Sequence, residues 1–282
     1  MTTTLVDGRP IGATVVLVTG ASSGIGAATA RAMSRRGARV LLVARSKDRL
    51  EALARELGAG AAAFPCDAGD RRAVAAMAER VQAEHGVPDV IVNCAGAGRW
   101  LSIEDTDPEE FLEMAAAPYF AAFLVTRAFI EGMLARGSGW VVNVDSPASK
   151  IAWPGAVAYI SARGAMRGFD AALRADLRGS GVGVTHLVPA KVSSEYFRHN
   201  AGSEERIPAV ARLIPTLTPE QVAEEICRAV ERRRREVVIP FALRVFFWCE
   251  RLMPRPTEWL AWRTGARRKP ARANRRRSIP GW

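Results

Sequence analysis

The sequence predicts an α/β fold, built on a doubly wound parallel sheet with helices on both faces. Three observations predict it. Short runs of Val, Leu and Ile alternate with longer Ala-rich stretches of helical period along residues 15–239. These runs are apolar throughout, as in strands buried on both faces. A glycine-rich loop joins the first strand to the first helix, and right-handed crossovers then place helices on either side of the sheet.

Each element carries a local signal. The predicted strands are the apolar runs 15–18, 40–43, 61–64, 90–92, 140–144, 182–188 and 237–239. The predicted helices are 24–36, 46–57, 70–85, 156–177 and 219–232, with two more between 108 and 136. Gly37 and Gly58 are good C-cap residues. Pro118 is expected to interrupt or start the second of the paired helices. The stretch 191–218 shows no regular period.

Composition and charge limit the class of protein. With 49% apolar and 24% charged residues, the chain has the composition of a globular protein, which excludes a disordered chain and a coiled-coil rod. The net charge of +11 lies in the C-terminal part, because residues 1–230 carry 25 basic and 25 acidic residues whereas 231–282 carry 15 and 4. The charge of the body therefore gives no reason to expect a nucleic-acid partner.

The sequence indicates a cytoplasmic protein without a metal site or disulfides. The four cysteines form no CxxC pair, which is typical of buried thiols in a reducing compartment. The three histidines show no ligand spacing. Residues 1–10 lack the basic and apolar segments of a signal peptide. The uncharged run 10–30 contains four glycines, which favours a strand, a turn and a helix start over a membrane span.

The loop after the first strand reads Thr19-Gly20-Ala21-Ser22-Ser23-Gly24-Ile25-Gly26 and leads directly into a helix. Its glycines permit a tight turn, close approach of the backbone to a phosphate, and close packing of helix on strand. The helix N-terminus adds N–H groups and a partial positive charge. A dinucleotide is therefore expected here, bound by Gly20, Ser22, Ser23, Gly24, Ile25 and Gly26.

The chain resembles the short-chain dehydrogenase/reductase family over about residues 12–240. The resemblance rests on the GxxxGxG spacing of the loop and on further motifs: Asp67, Asn93-Cys94-Ala95-Gly96, Ser146, Tyr159 thirteen residues later, and 189–194. It implies a Rossmann-type oxidoreductase domain over 1–240, a nicotinamide cofactor and a homo-oligomer. The cofactor contacts that it implies are Asp67 and Ala68 at the adenine, Asn93, Ala95 and Gly96 along the cofactor, and Pro189, Val192 and Ser194 near the nicotinamide, together with Tyr159 and Arg163.

The end of the second strand favours NADP(H) over NAD(H). In a dinucleotide fold this position lies beside the adenosine ribose, where an acidic residue would accept from both hydroxyls and repel a 2′-phosphate. The chain has Arg45 there, with Lys47 nearby. Because a guanidinium forms paired hydrogen bonds to phosphate, we expect Arg45 to bind the 2′-phosphate. A solvated arginine at a helix start is the alternative.

The catalytic group implied by the resemblance is Ser146, Tyr159 and Arg163. Ser146 would orient the carbonyl, and Tyr159 would protonate the alkoxide as hydride arrives. A tyrosine ordinarily has a pKa of about 10 and needs a fixed cation nearby to lower it. Family members usually have a lysine four residues after the tyrosine, one helical turn away, and here that residue is Arg163.

Arg163 leaves two alternatives open. Arginine keeps the charge but stays protonated in proteins, so it cannot itself relay a proton. If it substitutes for lysine, the protein is an NADP(H)-dependent oxidoreductase that interconverts an apolar, lipid-like ketone and a secondary alcohol. Otherwise the protein is a catalytically impaired dinucleotide-binding sensor or a membrane-surface interaction protein. We favour the enzyme.

Three further positions depart from the family pattern. Pro118 replaces an asparagine associated with a helix kink, and its ring is expected to preserve the kink without the amide. Asp145 stands where a small hydroxyl residue is usual. It is expected either to accept from N–H groups of its loop or to pair with Arg163 or Lys150. Ala190 replaces the more usual glycine after the sixth strand.

Residues 241–265 are aromatic and basic, and four of the seven tryptophans lie after residue 240. This composition is typical of an amphipathic helix or helical hairpin, here broken at Pro254 and Pro256. Residues 266–282 are a basic tail expected to be disordered. Three roles remain open for 241–282: attachment to an anionic membrane, packing over the body or a dimer partner, and nucleic-acid binding. We favour peripheral membrane attachment.

Overall fold

The computed structural model describes residues 5–6, 9–96, 98–200 and 202–265. Over these residues, seven strands form one parallel sheet: β1 (Val15–Thr19), β2 (Arg39–Ala44), β3 (Ala61–Pro65), β4 (Val90–Asn93), β5 (Gly139–Val144), β6 (Val182–Pro189) and β7 (Glu236–Ile239). Their order in the sheet is β3-β2-β1-β4-β5-β6-β7. The predicted doubly wound fold is confirmed, and a two-residue antiparallel pair, Leu5–Val6 with Arg9–Pro10, adds to it.

Helices connect the strands and cover both faces of the sheet. They are α1 (Gly24–Arg35), α2 (Lys47–Leu57), α3 (Arg71–His85), α4 (Pro108–Ala115), α5 (Ala121–Arg136), α6 (Val157–Asp176), α7 (Tyr196–His199), α8 (Pro219–Glu231), α9 (Phe241–Leu252) and α10 (Pro254–Thr264). One apolar core lies between the sheet and α1, α2 and α8, and the other between the sheet and α3 and α5. Side chains alternate between the cores along each strand: Val16 and Val18 enter one core and Leu17 the other.

One row of residues across the sheet is polar. Asn93, Asn143 and His186 are register partners on β4, β5 and β6, and all three are buried. The Asn93 amide donates to Oδ1 of Asn143 over 2.7 Å, and the Asn143 amide donates to Oδ1 of Asp170 on α6 over 2.8 Å. The row therefore carries polar and ionisable side chains to the edge where the parallel strands end.

A π turn, Ala116–Phe120, joins α4 to α5 and contains the buried Pro118. The N–H of Ala121 donates to the carbonyl of Ala116, five residues earlier, so α-helical bonding is interrupted where the sequence predicts it. By length and composition alone, the helical stretch 108–136 is apolar and long enough to cross a membrane. Of an apolar 18-residue segment within it, 39% is buried in the fold.

The C-terminal extension consists of α9 and α10, which meet at Met253 and Pro254. The break falls at the first predicted proline, and Pro256 lies in the first turn of α10, where a proline is tolerated because no N–H donor is needed. One side of the pair packs on the body in a cluster of Ile151, Val188, Ala190, Val238, Leu243, Phe247 and Ala261. The basic tail 266–282 lies outside the described residues.

Candidate active site

A cleft of about 1610 Å³ opens along the edge where the parallel strands end. The loops after β1, β2, β3, β4, β5 and β6 line it, together with the segment 194–216 and parts of α9 and α10. Ligands of doubly wound folds bind at this edge, beside the point where the strand order reverses. Here that point lies between β1 and β4.

The glycine-rich loop turns tightly within the cleft. Gly20 and Gly24 have φ values of +66° and +52°, a left-handed conformation that favours glycine. A Cβ on Gly26 would lie 2.2 Å from the carbonyl oxygen of Gly20, so only hydrogen fits there. Ser23 is the N-cap of α1, but its side chain makes no capping hydrogen bond. This tight loop, residues 20–26, is called the glycine cradle, and it fits the pyrophosphate of a dinucleotide at the N-terminus of α1.

Two arginines line the cleft beside β2. Arg45 directly follows the strand and is exposed. Arg49 lies one turn further along α2, and its Nη1 is 3.1 Å from Oε2 of Glu195. Asp67 lines the same part of the cleft and accepts from the N–H of Gly69 over 2.9 Å. The cleft therefore has two cationic groups where a 2′-phosphate is expected.

Tyr159 and Arg163 lie one turn apart on α6, and each is only 6% exposed. The guanidinium carbon of Arg163 is 5.2 Å from the centre of the Tyr159 ring, and Nη1 donates to the carbonyl of Val144 over 3.1 Å. Burial lowers the pKa of Arg163, but Tyr159 and the Asp145 carboxylate raise it, and the net shift is upward. A permanent cation therefore lies beside the phenol.

Ser146 follows β5 and lines the cleft together with Tyr159. It is the N-cap of a short turn, Pro147–Ser149, and its Oγ accepts from the N–H of Ala148 over 3.3 Å. Because this bond uses the oxygen as an acceptor, the hydroxyl proton remains available to a substrate oxygen.

Four aromatic residues surround Tyr159, and we call them the aromatic cage: Trp100, Trp153, Tyr196 and Phe197. Ring centres of Trp100 and Tyr196 lie 5.0 and 6.4 Å from that of Tyr159. Trp153 and Phe197 pack on Trp100 at 5.2 and 5.9 Å. Burial raises the pKa of Tyr196, so its phenol stays neutral. Tyr159 therefore packs against aromatic rings as well as against the Arg163 guanidinium.

Asp145 pairs with two side chains. Its Oδ1 is 3.7 Å from Nη1 of Arg163, and its Oδ2 is 2.7 Å from Nε2 of His186. Lys150 pairs instead with Glu236. Of the expectations for Asp145, the pair with Arg163 is confirmed, and hydrogen bonds to its carboxylate from N–H groups of its own loop are not found among the described residues.

The cleft brings together the predicted site residues with one exception. Its lining includes Gly20, Ser22, Ser23, Gly24, Ile25, Gly26, Arg45, Asp67, Ala68, Ala95, Gly96, Ser146, Tyr159, Arg163, Pro189, Val192 and Ser194. Asn93 does not line it, because its side chain points into the sheet and donates to Asn143 and Thr126.

Sequence reasoning missed several cleft residues: Arg49, Trp100, Trp153, Leu243, Phe246 and Ala261. For Arg49 a signal existed, since it stands four residues after Arg45 at the start of a predicted helix. The aromatic composition of 241–265 indicated an interface but gave no sign that α9 and α10 would form a wall of this cleft.

A family model described as short chain dehydrogenase matches residues 14–205. The chain belongs to the short chain dehydrogenase family. The glycine-rich loop after β1 is the part of the cleft that fits the pyrophosphate of a dinucleotide.

Relatives of this dehydrogenase include the probable oxidoreductase EphD of Mycobacterium tuberculosis, which is 36% identical over 245 residues. That match covers 80% of the chain and 41% of EphD, so the chain spans less than half the length of this relative. D-threitol dehydrogenase of Mycolicibacterium smegmatis is 38% identical over 205 residues, covering 72% and 78% of the two chains. An alcohol dehydrogenase from the archaeon Thermococcus sibiricus, complexed with 5-hydroxy-NADP, has a TM-score of 0.70 at 28% identity, covering 80% and 95%.

Proposed function

We propose that this dehydrogenase uses NADP(H) to interconvert an apolar ketone and a secondary alcohol. The observation that carries the proposal is the buried pair of Tyr159 and Arg163, with the guanidinium carbon 5.2 Å from the ring centre. A permanent cation at this distance stabilises the phenolate that remains after proton donation. The orientation of Arg163 toward Tyr159 therefore favours an enzyme over the alternative of an impaired sensor.

The proposed roles follow from what each group can donate. The nicotinamide, when bound, supplies or accepts the hydride. Ser146 donates a hydrogen bond to the substrate oxygen and orients it. Tyr159 gives its proton to that oxygen as negative charge develops, and takes a proton back in the reverse direction. Arg163 acts only through its charge, because a guanidinium does not lose its proton in a protein.

The proposed cofactor site extends along the cleft from the adenosine to the nicotinamide end. The glycine cradle would hold the pyrophosphate, and Asp67 and Ala68 would lie at the adenine. Ala95, Gly96, Pro189, Val192 and Ser194 would lie toward the nicotinamide, all of them lining residues. The two guanidinium groups of Arg45 and Arg49 support NADP(H), because paired donors suit a 2′-phosphate. The solved alcohol dehydrogenase of the same fold, complexed with 5-hydroxy-NADP, is consistent with that preference.

The apolar character of the substrate is inferred from the walls of the cleft. The aromatic cage lies on one side of Tyr159. Leu243 and Phe246 of α9 and Ile151 and Ile214 of the body add aliphatic and aromatic surface to the lining. Burial of such surface against a ligand is favourable at about 25 cal/mol per Å², which supports a hydrophobic ketone or alcohol.

We also propose that the outer side of α9 and α10 attaches this cytoplasmic enzyme peripherally to an anionic membrane. The exposed apolar residues there are Phe241, Val245, Trp248, Leu252, Met253, Trp259 and Trp262. Arg251, Arg255 and Arg263 are exposed among them. Aromatic rings beside arginines suit the headgroup region, and each cation near an anionic surface contributes about 1 kcal/mol. Because α9 also lines the cleft, a lipid-like substrate would enter from the bilayer side.

A second copy of the chain is the partner proposed for α4 and α5. Their exposed apolar residues are Phe111, Leu112, Phe120, Phe123 and Leu134. Phe120, Phe123 and Leu134 recur at helical spacing, so they share one side of the helix. A homo-oligomer that buries this side would remove its apolar surface from water.

The test is a screen of ketones and secondary alcohols that follows NADPH absorbance. Wild type should turn over an apolar substrate, and Tyr159→Phe should lower kcat about 10³-fold because the proposed proton donor is lost. The Kd for NADPH should change less than about threefold. Tyr119→Phe, a half-buried tyrosine outside the cleft, is the matched control. Tight NADPH binding without turnover of any substrate by wild type would contradict the proposal.

A further inference from the structure

A chain of buried ionisable side chains continues from Arg163 into the sheet. Asp145, which has no exposed side-chain surface, lies between Arg163 and His186, 3.7 Å from the guanidinium and 2.7 Å from the imidazole. The same imidazole nitrogen is 3.5 Å from Oδ2 of Asp170, whose side chain is equally buried. Two carboxylates, one imidazole and one guanidinium therefore lie together, and the side chains of both carboxylates are fully buried.

The two oxygens of Asp145 have different partners. Oδ2 is within hydrogen-bond distance of His186, whose ring thereby fixes the carboxylate. Oδ1 has no hydrogen-bond partner among the described residues and faces the Arg163 guanidinium. A buried carboxylate oxygen without a hydrogen bond is unfavourable unless a cation compensates it. Oδ1 therefore interacts with Arg163 through charge.

The titratable groups around Tyr159 and Asp145 come from five parts of the fold. They are Arg163, Asp170 and, further out, Arg174 on α6, Tyr196 on α7, His186 on β6, Glu236 on β7, and Asp145 itself after β5. Among the described residues, Arg163 is the one that contacts both Tyr159 and Asp145. Asp145 therefore lies directly beside the cation that contacts Tyr159.

We propose that Asp145 is a positioning residue that offsets the fixed charge of Arg163, so that Tyr159 keeps the proton it donates. A guanidinium cannot lose its proton to adjust to its neighbour. Without a counter-charge it favours the ionised form of the phenol more strongly, and the ionised form has no proton to give. Asp145 supplies that counter-charge from beside the guanidinium, and His186 holds the carboxylate in place. The inference rests on the proposed function, in which Tyr159 is the proton donor.

The test is a pH titration that follows phenolate absorbance and needs neither substrate nor cofactor. The chain has three tyrosines, and Tyr159→Phe identifies the step that belongs to Tyr159. Asp145→Asn should move the midpoint of that step to lower pH by about one unit, because a negative charge beside Arg163 is lost. Asp170→Asn is the matched control, since Asp170 is equally buried and faces the same imidazole but not Arg163. Asp170→Asn should move the midpoint by less than about a third of the shift expected for Asp145→Asn.

An unmoved midpoint in Asp145→Asn, or an equal shift in Asp170→Asn, would overturn the inference whatever the effect on thermal stability. If Asp145→Asn does not fold, Asp145→Ser provides the same loss of charge with a smaller side chain. Since the titration requires no turnover, its result is independent of the substrate screen.

Discussion

Arg49 on α2 and Glu195 in the segment after β6 form an ion pair of 3.1 Å, and both residues line the cleft. Their side chains are 52% and 35% exposed, so the pair contributes at most about 1 kcal/mol. A 2′-phosphate on the cofactor would compete with Glu195 for this guanidinium. The ion pair therefore joins two parts of the cleft, and binding of NADP(H) would weaken it.

Glu195→Gln should tighten NADPH binding about threefold, because Arg49 no longer has a carboxylate partner to exchange for the phosphate. Binding of NADH, which has no 2′-phosphate, should stay the same. Fluorescence titration of both cofactors measures this. Glu205→Gln removes the same charge elsewhere in the cleft lining and is the control. Equal changes for the two cofactors would contradict the role of Arg49.

Arg45→Asp should weaken NADPH binding about 30-fold, which corresponds to the loss of about 2 kcal/mol from a charge-assisted contact. NADH binding should improve, because the new carboxylate can accept from the ribose hydroxyls. The ratio of the two Kd values is the measurement. Arg55→Asp, at an exposed position later on α2 and outside the cleft lining, makes the same change of charge as a control. A ratio that stays constant in Arg45→Asp would exclude Arg45 from the phosphate site.

Arg163→Met should lower kcat about 10²- to 10³-fold, because the phenolate loses its cation in a buried site. Arg163→Lys should retain more of the activity, since it keeps the charge. Steady-state kinetics with the substrate from the screen gives both numbers. Arg167→Met, one turn further along α6 and exposed, is the control. Wild-type activity in Arg163→Met would show that Tyr159 works without this cation.

Asp170 should make stability depend on pH. Burial raises its pKa to about 6, partly offset by His186, Asn143 and Arg174. This folded-state pKa lies above the ordinary value of about 3.9. The contribution of Asp170 to the free energy of unfolding is therefore fully present below about pH 4 and is lost as the pH rises through 6.

Asp170→Asn removes this titration. The unfolding free energy of the variant relative to wild type should therefore rise by up to about 3 kcal/mol between pH 4 and pH 7. Urea unfolding at several pH values measures the difference. A difference that does not change with pH over this range would mean that Asp170 titrates alike in the folded and unfolded chains.

Substituting Trp248 and Trp259 together by serine should weaken binding to vesicles of phosphatidylglycerol and phosphatidylcholine at least tenfold, because both exposed rings would be lost from the interface. High salt should weaken binding of wild type as well. Cosedimentation measures both effects. Leu112→Ser with Phe123→Ser removes exposed apolar surface from α4 and α5 instead and should leave vesicle binding unchanged. Binding that ignores lipid charge would contradict membrane attachment.

Much of the cleft could be predicted because its residues stand at fixed places relative to strand ends. Gly20, Asp67, Ala95 and Ser146 all follow strands of the sheet, and parallel strands end at one edge. Asn93 was assigned to the cleft in the same way, yet it is the last residue of β4 and its side chain points into the interior. Strand alternation decides such cases, and a shift of one residue reverses the side.

The sequence by itself determined the doubly wound sheet, the glycine cradle and the one-turn spacing of Tyr159 and Arg163, because periodicity and loop chemistry are local properties of the chain. Only the tertiary structure decided which carboxylate faces Arg163, which residue Arg49 pairs with, and that α9 lines the cleft. These contacts join residues far apart in the chain, 146 residues in the case of Arg49 and Glu195. Such pairs form only when packing of the whole fold sets the direction of each side chain, and no local pattern encodes that direction.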